Sequence, residues 1–135
     1  MKKNNQSEEK NNQSEAWHQE QIFRWARANQ IKIPELQLLN ASLNGVKLSK
    51  FLAGKMKRQG MRKGYPDIFL PIPKNSYHGL FIELKKENGG TILREQKVWL
   101  KKLNELGYLT IVVYGYIEAI KTIKQYLVAK LDDAS

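Results

Sequence analysis

The pattern of apolar and polar positions predicts strands in the middle of the chain and helices around them. Residues 67–72 and 79–86 alternate around apolar side chains, which is typical of strands. Residues 108–114 are rich in β-branched side chains and predict a further strand. Helical spacing of apolar residues predicts helices over 93–106, ended by Gly107, and from 117 to 131.

The first predicted helix begins after Ser14, a suitable N-cap, and runs for about 15 residues. Glu15 stands in its first turn, where a carboxylate suits the helix dipole. One face of this helix shows spacing of i, i+4, i+7, i+8 and i+11, and it carries Glu15, Gln19, Ile22, Phe23 and Ala26. Glu20 falls on the side of Arg24 and Arg27, where we expect a solvated carboxylate. The pattern alone leaves open whether Glu15 or Glu20 is the helix carboxylate of a site.

Turn and cap residues indicate how the rest of the chain is organised. Asn44-Gly45 lies between semi-apolar runs within 35–48 and predicts a turn, with a hairpin as one form of it. Ser49 is placed to cap a short helix that ends near Gly60. Residues 1–14 are polar and nearly duplicate a seven-residue run, so we expect a disordered tail followed by one domain over 15–131.

The two central strands carry the candidate chemistry. Glu83 and Lys85 are two residues apart on a strand, so both project from one face, with side-chain bases about 6.6 Å apart. A structural ion pair is one interpretation of this spacing. Asp67, at the start of the neighbouring strand, would bring a second carboxylate to the same place. Gln96 is the polar exception at the start of the apolar face of the 93–106 helix, where it either joins the site or satisfies a buried backbone group.

The amino-acid composition indicates the charge of the protein, the kind of partner it binds and its expected location. The 135 residues suit one domain, and 23 Lys and Arg against 13 Asp and Glu give a net charge of +10. Such a charge favours an anionic partner, with nucleic acid ahead of an anionic membrane. The chain has neither an apolar run of about 18 residues nor an apolar signal-peptide core, so we expect a cytoplasmic protein without a membrane span. Zero cysteines exclude zinc-thiolate sites, which leaves a hard, oxygen-bound ion as the expected metal.

A basic stretch lies just upstream of Asp67 and contains no acidic residue. Its seven cationic residues are Lys47, Lys50, Lys55, Lys57, Arg58, Arg62 and Lys63. A solvated surface is the ordinary interpretation of a charge run. The missing acids and the nearness to Asp67 favour contacts with nucleic-acid phosphates instead.

Taken together, these motifs resemble the virus-type replication-repair nucleases (VRR-NUC) of the PD-(D/E)xK superfamily, particularly small stand-alone phage and bacterial members. The similar motifs begin with Glu15, Gln19 and the following Phe-Arg-Trp-Ala, and continue with the Asn44-Gly45 turn and the basic residues after it. Gly-x-Pro-Asp at 64–67, Gly-Leu-Phe-Ile-Glu-Leu-Lys at 79–85 and Gln96-x-x-Trp99 complete the set. The family often opens the last of these helices with Ser or Thr and Pro, where this chain has Leu93-Arg94.

The resemblance implies an α/β fold with a restriction-endonuclease-like PD-(D/E)xK core, in which a small mixed β-sheet is flanked by helices. It also implies that Asp67, Glu83 and Glu15 bind Mg²⁺, for which Mn²⁺ would substitute, and that Lys85 and Gln96 assist catalysis. The implied activity is endonucleolytic hydrolysis of DNA, with branched DNA such as a Holliday junction as substrate and a homodimer as the active form. A flap or nicking nuclease, a restriction-like nuclease and a non-catalytic basic nucleic-acid-binding module are the alternatives.

Overall fold

The computed structural model describes residues 13–44 and 48–128. The helices are α1 (Glu15–Asn29), α2 (Lys50–Arg58), α3 (Arg94–Glu105) and α4 (Tyr116–Val128), with a 3₁₀ helix at Pro34–Leu38. The strands are β1 (Asn40–Ala41), β2 (Ile68–Leu70), β3 (Leu80–Lys85) and β4 (Leu109–Tyr114). Every predicted helix and strand that falls within the described residues is therefore present, with ends moved by a few residues.

The four strands form one mixed sheet in the order β1-β2-β3-β4. β1 pairs with β2 and β2 with β3 in antiparallel fashion, whereas β3 and β4 are parallel and are joined through α3. Parallel neighbours require such a crossover, because the chain must return to the same end of the sheet. The expected α/β fold with a small mixed sheet flanked by helices is confirmed.

The main core lies on the sheet face that carries Leu80, Ile82 and Leu84, as their alternation predicted. α1 and α4 cover this face and pack against each other. α1 contributes Ile22 and Ala26, which follow its predicted apolar spacing. The apolar spacing that predicted the 93–106 and 117–131 helices also includes Leu106 and Ile117, but these lie at helix ends and are 67% and 63% exposed.

The predicted caps form the observed helix ends. The Ser14 hydroxyl accepts a hydrogen bond from Trp17 N at 3.1 Å, and that of Ser49 accepts one from Leu52 N at 3.2 Å. Leu93 has no polar side chain with which to cap α3. The Gln96 side chain instead accepts from Leu93 N at 2.8 Å, so the first turn of α3 is closed by a residue that also enters the site.

Asn44 lies at a turn, and β1 just before it pairs with a strand far along the chain. Residues 34–38 form a 3₁₀ helix, and β1 pairs with β2 from a distant part of the chain. Asn44 Nδ2 donates to the carbonyl oxygens of Arg62 at 2.8 Å and Tyr65 at 3.1 Å. Gly45 and Lys47 lie outside the described residues. The side chain of Asn44 thus holds the chain that leads into β2.

A second contact holds this leading segment against α3. Trp99 Nε1 donates to the Lys63 carbonyl at 3.1 Å. Gly64 has φ +84°, and a Cβ at this position would lie 2.8 Å from the backbone carbonyl carbon of Glu95. Only glycine allows both this left-handed conformation and this close approach without strain. The Gly-x-Pro-Asp motif therefore places the start of β2 directly beside the start of α3.

α1 is fixed to α4 by a buried imidazole. His18 is fully buried, and its Nδ1 accepts from Tyr116 N at 3.1 Å, at the first residue of α4. Burial lowers the pKa of His18, against the opposing charge of Glu87. A neutral His18 keeps its acceptor for this bond, which positions the first turn of α1.

Gly64→Ala should lower the free energy of unfolding more than Gly89→Ala does. Both glycines have positive φ, +84° and +79°, but a Cβ at Gly89 meets nothing within 4 Å. The positive φ alone should cost the Gly89 variant about 1 kcal/mol, and the clash with α3 should add about 1 to 2 kcal/mol for Gly64. Urea denaturation of both variants measures the difference, and equal losses would show that close packing at Gly64 is unimportant.

Candidate active site

Asp67 and Glu83 lie side by side on the sheet face opposite the main core. The pairing of Ile68 with Ile82 places Asp67, one residue earlier, opposite Glu83. Asp67 Oδ2 accepts from Leu84 N at 2.7 Å, which fixes its carboxylate against β3. Glu83 is 1% exposed. The sheet register therefore brings the two predicted carboxylates together.

Gln96 connects Glu83 to Lys85. Its Nε2 donates to Glu83 Oε1 at 2.7 Å, and its Oε1 accepts from Lys85 Nζ at 2.9 Å. The opposite amide orientation would point an NH₂ group at two donors, Lys85 Nζ and Leu93 N. Gln96 thus caps α3 and contacts both Glu83 and Lys85, whereas the backbone group that it binds, Leu93 N, is exposed and not buried as one interpretation expected.

Lys85 is nearly as buried as Glu83, at 4% exposed, and its Nζ lies 3.6 Å from Glu83 Oε1. An ion pair is therefore present, as the ordinary interpretation of the Glu-x-Lys spacing required. It does not neutralise the whole cluster, because Asp67 adds a second carboxylate. Close contact also covers the Lys85 stem, since a Cβ at Gly90 would lie 2.7 Å from Lys85 Cβ.

The electrostatics of the pair favour a bound cation. Burial, followed by the nearby charge of Asp67, raises the pKa of Glu83 to about 8, although Lys85 opposes the shift. Burial also raises the pKa of Asp67, against the hydrogen bond from Leu84 N. Glu83 Oε2 is buried without a hydrogen-bond partner among the described residues, and a proton shared between Glu83 and Asp67 contributes to the raised pKa of Glu83. A cation next to these carboxylates would supply the missing partner and relieve their repulsion.

Asp67 and Glu83 are two neighbouring carboxylates that this face of the sheet offers to a metal ion. Mg²⁺ retains several waters and needs only one or two carboxylates together with substrate phosphate. Asp67 and Glu83 meet that requirement.

Glu15, in the first turn of α1, interacts electrostatically with Asp67 and Glu83. Burial raises its pKa most, and the charges of Lys85 and Asp67 act on it in opposite directions. Glu20 is exposed on the neighbouring side of α1. The structure therefore brings Glu15 within electrostatic reach of Asp67 and Lys85, and Glu20 lines the cleft beside Asp67.

A cleft of about 750 Å³ opens beside Asp67 between α1 and the end of β3. Its α1 side was missed in the sequence, although the positions share helical spacing of i, i+3, i+4, i+7 and i+11. These residues are Ala16, Gln19, Glu20, Phe23 and Arg27. The other lining residues are Ser14, Glu15, Leu43, Asp67, Leu84 and Lys86. Asp67 is thus approached from solvent through this cleft.

The basic residues that the sequence assigned to nucleic-acid binding are exposed where they are described. The α2 set is Lys50, Lys55, Lys57 and Arg58, and the following loop adds Arg62 and Lys63. α2 buries none of its residues and also carries Phe51, which is 80% exposed. Lys63 lies 3.7 Å from Glu95 across exposed surface, a contact of small energy. Lys47 is outside the described residues.

A mixed sheet that presents two adjoining carboxylates and a lysine on one face, under a helix that adds a glutamine, defines a nuclease of the PD-(D/E)xK type. DNA is the substrate that this class implies.

Between residues 13 and 128, omitting 45–47, no helix has the length and apolar character to cross a membrane.

Comparison with known proteins agrees with this class. The family model of the VRR-NUC domain matches residues 3–116. A solved structure described as a VRR_NUC domain protein is similar, with 31% sequence identity and a TM-score of 0.71, over 90% of this chain and 92% of that chain. None of the curated proteins matches the chain. The chain belongs to the VRR-NUC family.

The raised pKa of Glu83 makes the metal-free protein less stable as pH rises. Glu83 takes up a proton more readily when folded than when unfolded, so stability falls from about pH 4.5 to about pH 8 and is then flat. Glu83→Gln keeps the neutral form at every pH. Without divalent ions, it should therefore melt above the wild type at pH 8.5, and the difference should shrink at pH 6.

Thermal unfolding in the presence of a chelator measures this difference, and the exposed Glu105→Gln on α3 is the control.

The raised pKa of Glu83 should also make Mg²⁺ affinity rise by up to about tenfold per pH unit below pH 8, because binding must release the Glu83 proton. A pH-independent affinity from pH 6 to 8 would contradict the shifted pKa.

Proposed function

We propose that the protein is a Mg²⁺-dependent endodeoxyribonuclease that hydrolyses phosphodiester bonds in branched DNA, in the manner of a Holliday-junction resolvase. The observation that carries this proposal is the buried Asp67 and Glu83 pair, in which Glu83 Oε2 lacks a partner and Lys85 lies within reach. Ionising both carboxylates in this desolvated place is costly unless a cation lies beside them, because burial and the charge of Asp67 raise the pKa of Glu83.

Each side chain has a distinct part in the proposed reaction. Asp67 and Glu83 would hold Mg²⁺ with Glu15 beside them, and the bound ion would polarise the scissile phosphate and acidify water for attack. Lys85 would orient the attacking water or stabilise negative charge on the phosphate oxygens. Gln96 positions Lys85 and Glu83 through its amide, which bonds to both.

The basic surface supplies the path for the DNA backbone. α2 and the following loop contain exposed cations and lead through Arg62 and Lys63 to Asp67. This continuity supports phosphate binding that ends at the carboxylate pair. The preference for branched DNA and the homodimer rest on the resemblance to stand-alone members of the family. DNA as substrate fits a cytoplasmic location in a bacterial or phage-infected cell.

The direct test is a titration of Mg²⁺ or Mn²⁺ over purified protein with junction, flap, nicked and plain duplex DNA. The proposal requires cleavage that depends on the metal and is fastest on the junction, with dimeric protein in light scattering. If a flap, a nicked duplex or one sequence in plain duplex is cleaved fastest, that DNA is the preferred substrate and the proposal of a junction is wrong. Binding without any product would indicate a non-catalytic module.

Asp67→Asn, Glu83→Gln and Lys85→Met should each reduce cleavage by at least about 100-fold, because each removes charge used on the scissile phosphate. Affinity for DNA should change little, since these side chains lie away from the exposed basic surface. Gel-shift and single-turnover assays separate the two effects, with Glu105→Gln as a control. If a variant retains full activity, the residue that it replaces has no part in catalysis.

Neutralising Lys57 and Arg58 together should flatten the salt dependence of DNA binding. Each phosphate contact contributes about 0.9 to the slope of log affinity against log salt on duplex DNA. The paired variant should therefore lower this slope by about 1 to 2. Lys32→Gln with Lys121→Gln removes the same charge from exposed positions outside the basic stretch and is the matched control. Equal slopes for the two variants would contradict a directed phosphate path.

A further inference from the structure

The cleft beside Asp67 differs in character from the rest of this basic protein. Its volume of about 750 Å³ lies within the range of sites that hold small organic groups. Its charged lining residues are two cations, Arg27 and Lys86, and three carboxylates, Glu15, Glu20 and Asp67. Glu15 and Asp67 belong to the proposed metal site, so Glu20, Arg27 and Lys86 make up the rest of the charged lining.

The uncharged part of the lining suits a flat, neutral group. Apolar surface comes from Ala16, Phe23, Leu43 and Leu84, and it contributes more of the wall than polar atoms do. Phe23 is half-buried, so its ring is held by the core while part of it faces the cleft. Gln19 adds an amide, which has both donors and an acceptor for the edge of a base. An aromatic face with a neighbouring amide is the chemistry that recognises a nucleobase.

The position of the cleft relates it to the scissile phosphate. Asp67 lines the cleft and also lies next to Glu83. A chemical group that occupies the cleft would therefore lie close to a phosphate that is bound at Asp67 and Glu83. In a DNA chain, that group is the base of a nucleotide flanking the scissile bond.

We propose that this cleft is a nucleobase subsite, which receives one unstacked base from a nucleotide adjacent to the scissile phosphate. This inference rests on the proposed nuclease function. It narrows the substrate class to DNA in which that nucleotide is unpaired or easily unpaired, such as a junction, a mismatch or the base of a flap. The cost of taking a base out of the stack is smallest at such positions.

The test places 2-aminopurine next to the mapped cleavage position, because the fluorescence of this base rises when it leaves the stack. The protein carries Glu83→Gln, which stops cleavage and leaves the cleft lining intact. Binding should raise the fluorescence several-fold. Adding Ala16→Trp, which fills the cleft from an exposed position on α1, should abolish the rise. Ala28→Trp, also exposed on α1 but away from the cleft, should leave it unchanged.

Cleavage by proteins with intact Glu83 gives a second readout. A mismatch at the flanking position should speed cleavage by about tenfold for the wild type and Ala28→Trp. The ratio should fall to about one for Ala16→Trp. Phe23→Leu keeps an apolar side chain for the core but removes the ring, so it should weaken the mismatch preference while circular dichroism stays that of the wild type.

The outcomes separate this inference from the function on which it rests. Metal-dependent cleavage with no fluorescence rise, or with equal mismatch ratios for the two tryptophan variants, would overturn the subsite and leave the nuclease intact. Absence of cleavage from every DNA would overturn the proposed function and the subsite with it. A fluorescence rise lost only in Ala16→Trp, together with the collapsed mismatch ratio, would establish the subsite.

Discussion

The burial of two carboxylates beside one lysine is the constraint on which the arrangement of this protein depends. Asp67 and Glu83 repel each other in a desolvated place, and Lys85 compensates only part of that charge. The surrounding structure must therefore hold them by other contacts. Leu84 N fixes Asp67, and the Gln96 amide fixes both Glu83 and Lys85. Burial and the charge of Asp67 raise the pKa of Glu83 to about 8, so the pair ionises fully only at a cost that a divalent ion beside it would remove.

Contacts outside the cluster serve the same constraint. The chain that leads to Asp67 is held by Asn44 on one side and by Trp99 on the other, and Gly64 lets it approach α3. α3 in turn begins without a polar N-cap and relies on Gln96 to close its first turn. Helix start and site geometry therefore depend on one side chain, so a change at Gln96 affects both together.

The described residues form two surfaces of different chemistry, a basic one on α2 and the loop after it and a cleft beside Asp67. Exposed cations on α2 and the loop after it form a surface suited to phosphates. The cleft along α1 has an apolar wall. This division matches the two parts of a nucleotide, an anionic backbone and a neutral base. A single basic surface would bind DNA but would not distinguish a stacked base from an unstacked one.

Local spacing and backbone chemistry were enough to predict the helices and strands, the caps at Ser14 and Ser49 and the shared face of Glu83 and Lys85. The similarity to the VRR-NUC family could also be recognised from motifs spread along the chain. The position of Asp67 opposite Glu83 depends on the fold, since register joins residues far apart in sequence. The fold also sets the electrostatic contact of Glu15 with the pair, the exposure of Leu106 and Ile117, and the cleft that one side of α1 lines. Helical spacing groups residues on a face, but what packs against that face depends on the rest of the fold.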